Sequence, residues 1–257
     1  MLPVLFEVGS FKVHTWGLLL MAGFLLGVWR AAKNASRYQF EKEDVWDVSL
    51  VGLFGGILGG RLAFVLLNIR EFAANPLSVF AFWEGGMTSF GGFIGGIAAG
   101  LLMCRFKKMN LWDMADLAAV SLPLGYCLGR IGCFLNGCCY GGVCELPWAV
   151  RFHLHDGALT PPSHPAQLYS AIAALIIFAL LVPLERNRQF RGQIILAFGF
   201  LYGVYRFLVE FVREGATADQ SGLLNLTEAQ VASLVLSGLA AVAYLFLRQR
   251  AVKVGKP

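Results

Sequence analysis

Seven stretches of this chain are predominantly apolar and close to 20 residues long: 14–33, 47–68, 88–105, 112–129, 166–184, 193–212 and 227–247. A helix needs about 20 apolar residues to cross the hydrocarbon core of a bilayer. No water is available there, so each segment must satisfy its own N–H and C=O groups, which a helix does. The fold class that follows is an all-α polytopic membrane protein with seven transmembrane helices. Composition agrees: 14% of the residues are charged, against about 25% in soluble domains. The fourth stretch is the least apolar, with Asp113 and Asp116 in its first turn, where acids complement the helix dipole.

The basic residues set an orientation. With the N-terminus outside, the inner connections hold 14 of the 21 lysines and arginines, including Arg30, Lys33, Lys107, Lys108, Arg188 and Arg250. This is the positive-inside pattern, and it predicts N-out/C-in. The net charge of +5 therefore reads as membrane topology rather than nucleic-acid binding. The first residues, Met1 to Glu7, lack a basic start and a small-residue cleavage site. The first span is expected to insert uncleaved.

The organisation expected is one membrane domain over 1–257. Residues 130–165 form an extracytoplasmic head between spans four and five. Within it Trp148, Val150 and Phe152 alternate with Ala149 and Arg151, and Asp156-Gly157 is turn-like. A short β-hairpin is the expectation. Residues 69–86 mix Phe72, Phe80 and Trp83 with Arg70, Glu71 and Glu84, which fits an interfacial arm or a plain loop. Gly52, Gly56 and Gly60 recur every four residues, as do Gly92, Gly96 and Gly100. Small residues at that spacing let two helices approach closely in lipid.

Two features point to chemistry. The stretch Gly129–Gly141 combines Arg130, Asn136, four glycines and three cysteines at the end of an apolar run. Glycines admit a ligand close to the backbone, and an arginine fork suits a phosphate or carboxylate; a helix-ending turn with a surface arginine is the plainer alternative. Second, Arg61 and Arg206 lie inside apolar spans, where an arginine costs about 2.5–3.5 kcal/mol on insertion scales. Tyr202, Arg206, Glu210 and Arg213 share one helical face. Arg206 and Glu210 could form a buried structural pair. Alternatively Arg61, Arg130 and Arg206 line a basic pocket for an anionic lipid head group.

Cys133, Cys138, Cys139 and Cys144 cluster in sequence, with His153 and His155 downstream. Packed thiols or one disulfide is the expectation; zinc is the alternative, and no metal is assigned. His14, His153 and His155 read as structural or solvent-facing. His164, beside Pro165 at a helix start, is equally a candidate for chemistry.

The ordered motifs carry a resemblance. Gly129-Arg130-Ile131-Gly132-x-Phe134-x-Asn136-Gly137 resembles the signature of the bacterial prolipoprotein diacylglyceryl transferases. Trp16-Gly17-Leu18, Gly59-Gly60-Arg61, Gly85-Gly86-Met87, Gly91-Gly92-x-Ile94-Gly95, His164-Pro165-x-Gln167-Leu168-Tyr169, Tyr202 to Arg213 and Gln230 agree in order and spacing. The resemblance covers nearly the whole chain. It implies a seven-span inner-membrane enzyme, with its active site toward the outer leaflet and no cofactor. Such an enzyme moves the diacylglyceryl group of phosphatidylglycerol to the lipobox cysteine of a preprolipoprotein and releases glycerol 1-phosphate. The resemblance puts Arg130 and Arg206 at the family's essential arginines, and Asn136 and Gly141 at further signature positions. Arg130 and Arg206 are the expected catalytic pair, and Arg130, Asn136 and Gly141 with Arg61, Gln167, Tyr169 and Glu210 form the expected substrate-binding set.

Four positions depart from the family pattern: Phe90 stands at a histidine proposed as base, Cys133 at an asparagine, Cys138 at a glutamate and Trp16 at a tyrosine. Glu210, His164, a cysteine thiolate or water are then the candidate bases. A cationic pocket itself favours the thiolate, the reactive form of a thiol whose usual pKa is about 8.5. The competing class is a non-enzymatic phospholipid or anion binder on the same scaffold.

Overall fold

The computed structural model describes residues 4–8, 11–74, 76–81, 85–153, 158–213 and 226–254. Strands β1 (Val4–Val8) and β2 (Phe11–His14) precede α1 (Thr15–Asn34), α2 (Lys42–Leu67), α3 (Ile69–Ala74), α4 (Ser89–Phe106), α5 (Leu111–Asn136), α6 (Ala166–Arg186), α7 (Gln193–Glu210) and α8 (Glu228–Val254). Seven of these helices, all but α3, are long and apolar enough to cross a membrane. The chain is a multi-pass membrane protein. It divides into two compact units, Met1–Arg30 with Ala115–Pro257, and Ala31–Met114.

In the larger unit Ala119 and Val120 of α5, Ile177 and Leu181 of α6 and Ile194 of α7 form a closed apolar core. Two buried carboxylates tie its helices together. Glu185 of α6 forms a bidentate pair with Arg30 of α1, and both side chains are almost fully buried. Asp116, fully buried in α5, accepts from Gly192 N at 2.8 Å, Ile194 N at 2.9 Å and Ile195 N at 2.8 Å. It also pairs with Arg188 Nε at 2.8 Å. Those amides are the donors left over at the start of α7, so an acid on one helix caps another. This accounts for an acid in the least apolar span.

The smaller unit is built on the close approach of α2 and α4. Its tightest contacts involve Gly55, Gly59, Gly91 and Gly95, a glycine row beside the one expected from Gly52, Gly56 and Gly60. A Cβ added at Gly59 would lie 2.5 Å from Gly91 O and 2.8 Å from Gly95 Cα. Gly59→Val and Gly95→Val are each expected to destabilise the protein by about 3 kcal/mol, the upper end for overpacking. Gly17→Ala, with nothing within 4 Å of the added Cβ, serves as the neutral control in thermal unfolding in detergent.

Helix ends differ from the expected spans for identifiable reasons. A capping box between Glu41 and Asp44 starts α2 at Lys42, among polar residues that hydropathy leaves out. Helix α5 runs on to Asn136, so Arg130 lies within a helix rather than in a loop beyond it.

The β structure also falls differently. The one named ladder among the described residues is β1–β2, antiparallel, with Val4 opposite His14 and Val8 opposite Phe11. Around Pro147–Leu154 the pairing consists of isolated bridges, Val150 with Ser163 and His153 with Leu159. Pro161 and Pro162 bring no N–H to a ladder, which limits its length. The turn at Asp156-Gly157 lies outside the described residues.

Candidate active site

The C-terminus of α5 positions Arg130. Gly137 takes φ +78; its N–H donates to Phe134 O at 3.2 Å, and Cys138 N–H donates to Cys133 O at 3.1 Å. This bond pair is a Schellman motif, which ends the helix and turns the chain back. Two turns earlier, the Arg130 guanidinium lies over the Tyr126 ring at 4.8 Å, a cation–π contact. Tyr126 Oη is 3.0 Å from Tyr205 Oη of α7, and Tyr205 Oη donates to Ser170 Oγ of α6 at 2.6 Å. Tyr202 stacks edge-on against both tyrosines. An aromatic platform drawn from α5 and α7, anchored on α6, thus carries the arginine.

The second cation comes from α7. Arg206 forms an ion pair with Glu210 one turn on, and Glu210 is buried. Glu210 Oε1 accepts from Thr227 Oγ1 at 3.3 Å. Thr227 is also the N-cap of α8: Gln230 N donates to Thr227 Oγ1 at 3.1 Å and Thr227 N to Gln230 Oε1 at 3.0 Å. The sequence Thr227-x-x-Gln230 is therefore a capping box, and it holds the carboxylate that orients Arg206. Arg130 and Arg213 act on Cys139, outside the helix. Hydrogen bonds from the Cys133 and Cys138 thiols, then these two arginines, hold the Cys139 thiol well below its usual pKa.

The segment after α5 is closed by backbone contacts. Gly141 N donates to His164 O at 2.8 Å, Gly142 N to Val212 O at 2.9 Å, and Gly141 bridges Arg213. A Cβ on Gly141 would collide with the Val212 carbonyl and lie 2.9 Å from His164 Cβ. Gly141 is thus the crossing point that sets Arg213 beside the site. Gly141→Ala is expected to separate these chains and lower turnover through position rather than lost contact with substrate; a fall in both activity and melting temperature checks it.

His164 Nδ1 is 3.3 Å from Tyr169 Oη, which accepts from Trp148 Nε1 at 2.7 Å. Because indole only donates, the phenol proton is directed at His164 Nδ1. Gln167 is fully buried, and its Nε2 donates to Cys138 O at 2.7 Å. Asn136 is half-buried at the end of α5.

Arg61 belongs to the smaller unit. It donates to Val79 O at 2.9 Å, Gly85 O at 2.5 Å, Gly86 O at 3.1 Å and Ser78 O. Its guanidinium also sits over the rings of Phe64 at 5.9 Å and Phe72 at 5.4 Å. These contacts offset the cost of a buried cation and staple the connection of α3 and the turn Pro76–Phe80. Phe90, in the first turn of α4, is exposed and carries no group that could move a proton.

Comparison with known proteins gives the family of the chain. The sequence model of prolipoprotein diacylglyceryl transferase matches residues 3–246. The chain belongs to the prolipoprotein diacylglyceryl transferase family. Among its relatives, a phosphatidylglycerol–prolipoprotein diacylglyceryl transferase of Geobacter sulfurreducens is 38% identical over 216 residues, covering 82% of each chain. Those of Vibrio vulnificus and Clostridioides difficile are each 34% identical, over 96% and 94% of this chain and 92% and 94% of their own.

Within this diacylglyceryl transferase chain, Arg130, Arg206, Glu210, Gly141 and His164 fall in one unit, as do Gln167, Tyr169 and Asn136. Tyr126, Tyr205 and Thr227 were not singled out from the sequence. Tyr126 had a signal, since it precedes Arg130 by four residues on the same helix face. Thr227 had the capping-box spacing. For Tyr205 no spacing signal exists; its role comes from the packing of α7 on α5 and α6.

Proposed function

We propose that this chain transfers the diacylglyceryl group of phosphatidylglycerol to the lipobox cysteine of a preprolipoprotein. The observation that carries the proposal is Arg130 on the Tyr126 ring, which packs on Tyr202 and Tyr205 next to Arg206 on α7, with Arg213 bridged to Gly141 after α5, in a bundle whose outer faces are apolar. Three guanidiniums suit a phosphodiester bound at membrane depth. The cysteine sulfur, its proton passing to water, attacks the carbon of the diacylglyceryl group that bears the phosphate; the C–O bond at that carbon breaks, and glycerol 1-phosphate leaves. Negative charge grows on the departing phosphate, and fixed cations stabilise it there. The same field favours the thiolate of the incoming cysteine.

The two residues considered as bases are already engaged. Glu210 bonds Arg206 and Thr227, which suits it to orient the arginine. His164 Nδ1 faces the Tyr169 hydroxyl. Gln167, Tyr169, Asn136 and Gly141 shape the turn beside the head group, and Arg61 orders the connection from α2 to α4. Between α7 and α8 runs an apolar groove of about 360 Å³, lined by Phe200, Gly203, Val204, Phe207 and Leu234. It offers an acyl chain a path beside Arg206. The basic connections favour an orientation with the N-terminus outside and the site toward the outer leaflet of the bacterial inner membrane. The exposed side chains of Ile69, Leu77 and Phe80 suit an arm lying in the interface.

Complementation tests this reading. In a bacterium depleted of its own transferase, the chain is expected to restore growth and the lipid-modified form of a reporter lipoprotein. Correct insertion without either would contradict it.

A further inference from the structure

The turn that ends α5 brings three sulfurs together, and the activity described above uses none of them. The Schellman motif packs the side chains of its first and last residues against each other, usually as an apolar pair. Here those residues are Cys133 and Cys138. Cys139 follows at φ +63, a left-handed conformation uncommon for residues other than glycine. The result is that the Sγ atoms of Cys133, Cys138 and Cys139 all lie within 4.8 Å of one another. All three are free thiols. The bond from Gln167 Nε2 to Cys138 O at 2.7 Å fixes the turn from α6.

We propose that Cys133, Cys138 and Cys139 form a binding site for one thiophilic metal ion, Zn²⁺, at the C-terminus of α5. Zinc–sulfur bonds of about 2.3 Å in a tetrahedral site set sulfurs about 3.8 Å apart, so small side-chain rotations close the present cluster on an ion. Three protein ligands leave a fourth position for water, as in open zinc sites. Three thiolates around Zn²⁺ carry one net negative charge, and Arg130 and Arg213 are placed to offset it. Cys144, the fourth cysteine of the sequence cluster, stands outside this triad. Cys133 and Cys138 occupy positions where the family signature carries asparagine and glutamate, so soft donors replace hard ones. The bound ion would clasp the last turn of α5 to the turn that leads to Gly141, and so fix Asn136 between them.

The test uses the full chain in detergent micelles, reduced, stripped of metal with a chelator, and titrated with Cd²⁺ or Zn²⁺. Cd²⁺ is expected to saturate at one ion per chain with thiolate-to-metal absorption in the ultraviolet. Cys133→Ser, Cys138→Ser and Cys139→Ser should each weaken binding by at least the ~10–100-fold that loss of an outer-shell partner costs. Cys104→Ser and Cys144→Ser should leave it unchanged. Should the serine variants misfold, alkylation of the unmodified chain decides: saturating Zn²⁺ is expected to protect the exposed Cys139, mapped by mass spectrometry. Alkylation of Cys139 unaffected by zinc, or cadmium binding without the thiolate band, would overturn the site. So would binding that survives Cys138→Ser.

Discussion

Arg130→Ala and Arg206→Ala are each expected to lower kcat/KM by at least about 10²–10³-fold, the usual cost of one lost donor to charge that develops in a transition state. The two losses should differ in kind. Arg130 rests on the Tyr126 ring, so its removal leaves the ion-pair framework intact and thermal stability nearly unchanged. Arg206 is the partner of buried Glu210, so its removal also leaves a carboxylate short of a counter-charge and lowers stability. Arg206→Ala combined with Glu210→Gln should recover stability without recovering activity. Lysine at Arg130 should rescue poorly, because a single ammonium cannot make the two-point contact of a guanidinium. Turnover of phosphatidylglycerol and melting in the same detergent separate these effects. Full activity in Arg130→Ala or Arg206→Ala would remove that arginine from the site.

Asp116→Ala is expected to have the largest effect on stability. The substitution takes the acceptor from three N–H groups at the start of α7 and the carboxylate from Arg188. Breaking a buried pair of this kind costs about 3–5 kcal/mol, a fall in Tm of roughly 6–20 °C at about 2–4 °C per kcal/mol. Asp116→Asn keeps one carbonyl acceptor and should lose less. Because Arg206 and Tyr202 ride on α7, the alanine variant should also lose activity at temperatures where it remains folded. A melting temperature unchanged in Asp116→Ala would show that α7 does not depend on this cap.

Much of the architecture was legible in the chain because hydrocarbon imposes so narrow a choice. The seven apolar stretches became seven helices, and Arg206 and Glu210 fell on one helical face as their four-residue spacing requires. The end of α5 was harder. Glycines and polar residues after Gly129 look like a loop, yet the helix stops only where Gly137 can take positive φ. Arg213 joins the proposed anion site through the bridge of Gly141 with its backbone, a contact between segments far apart in sequence. Arg61 read as a buried charge in search of an anion. Its partners are backbone carbonyls, and carbonyls leave no trace in a residue pattern. The tyrosine platform under Arg130 depends on how α5, α6 and α7 pack, which no local spacing encodes.

The central claim is that guanidiniums grip a glycerophosphate while a thiol takes its diacylglyceryl group. Incubation of the purified protein with phosphatidylglycerol and a synthetic lipobox peptide tests it directly by mass spectrometry. The account predicts a peptide carrying one diacylglyceryl group in thioether linkage, with one glycerol phosphate released per peptide modified. An unmodified peptide from a folded preparation that still binds the lipid would contradict it.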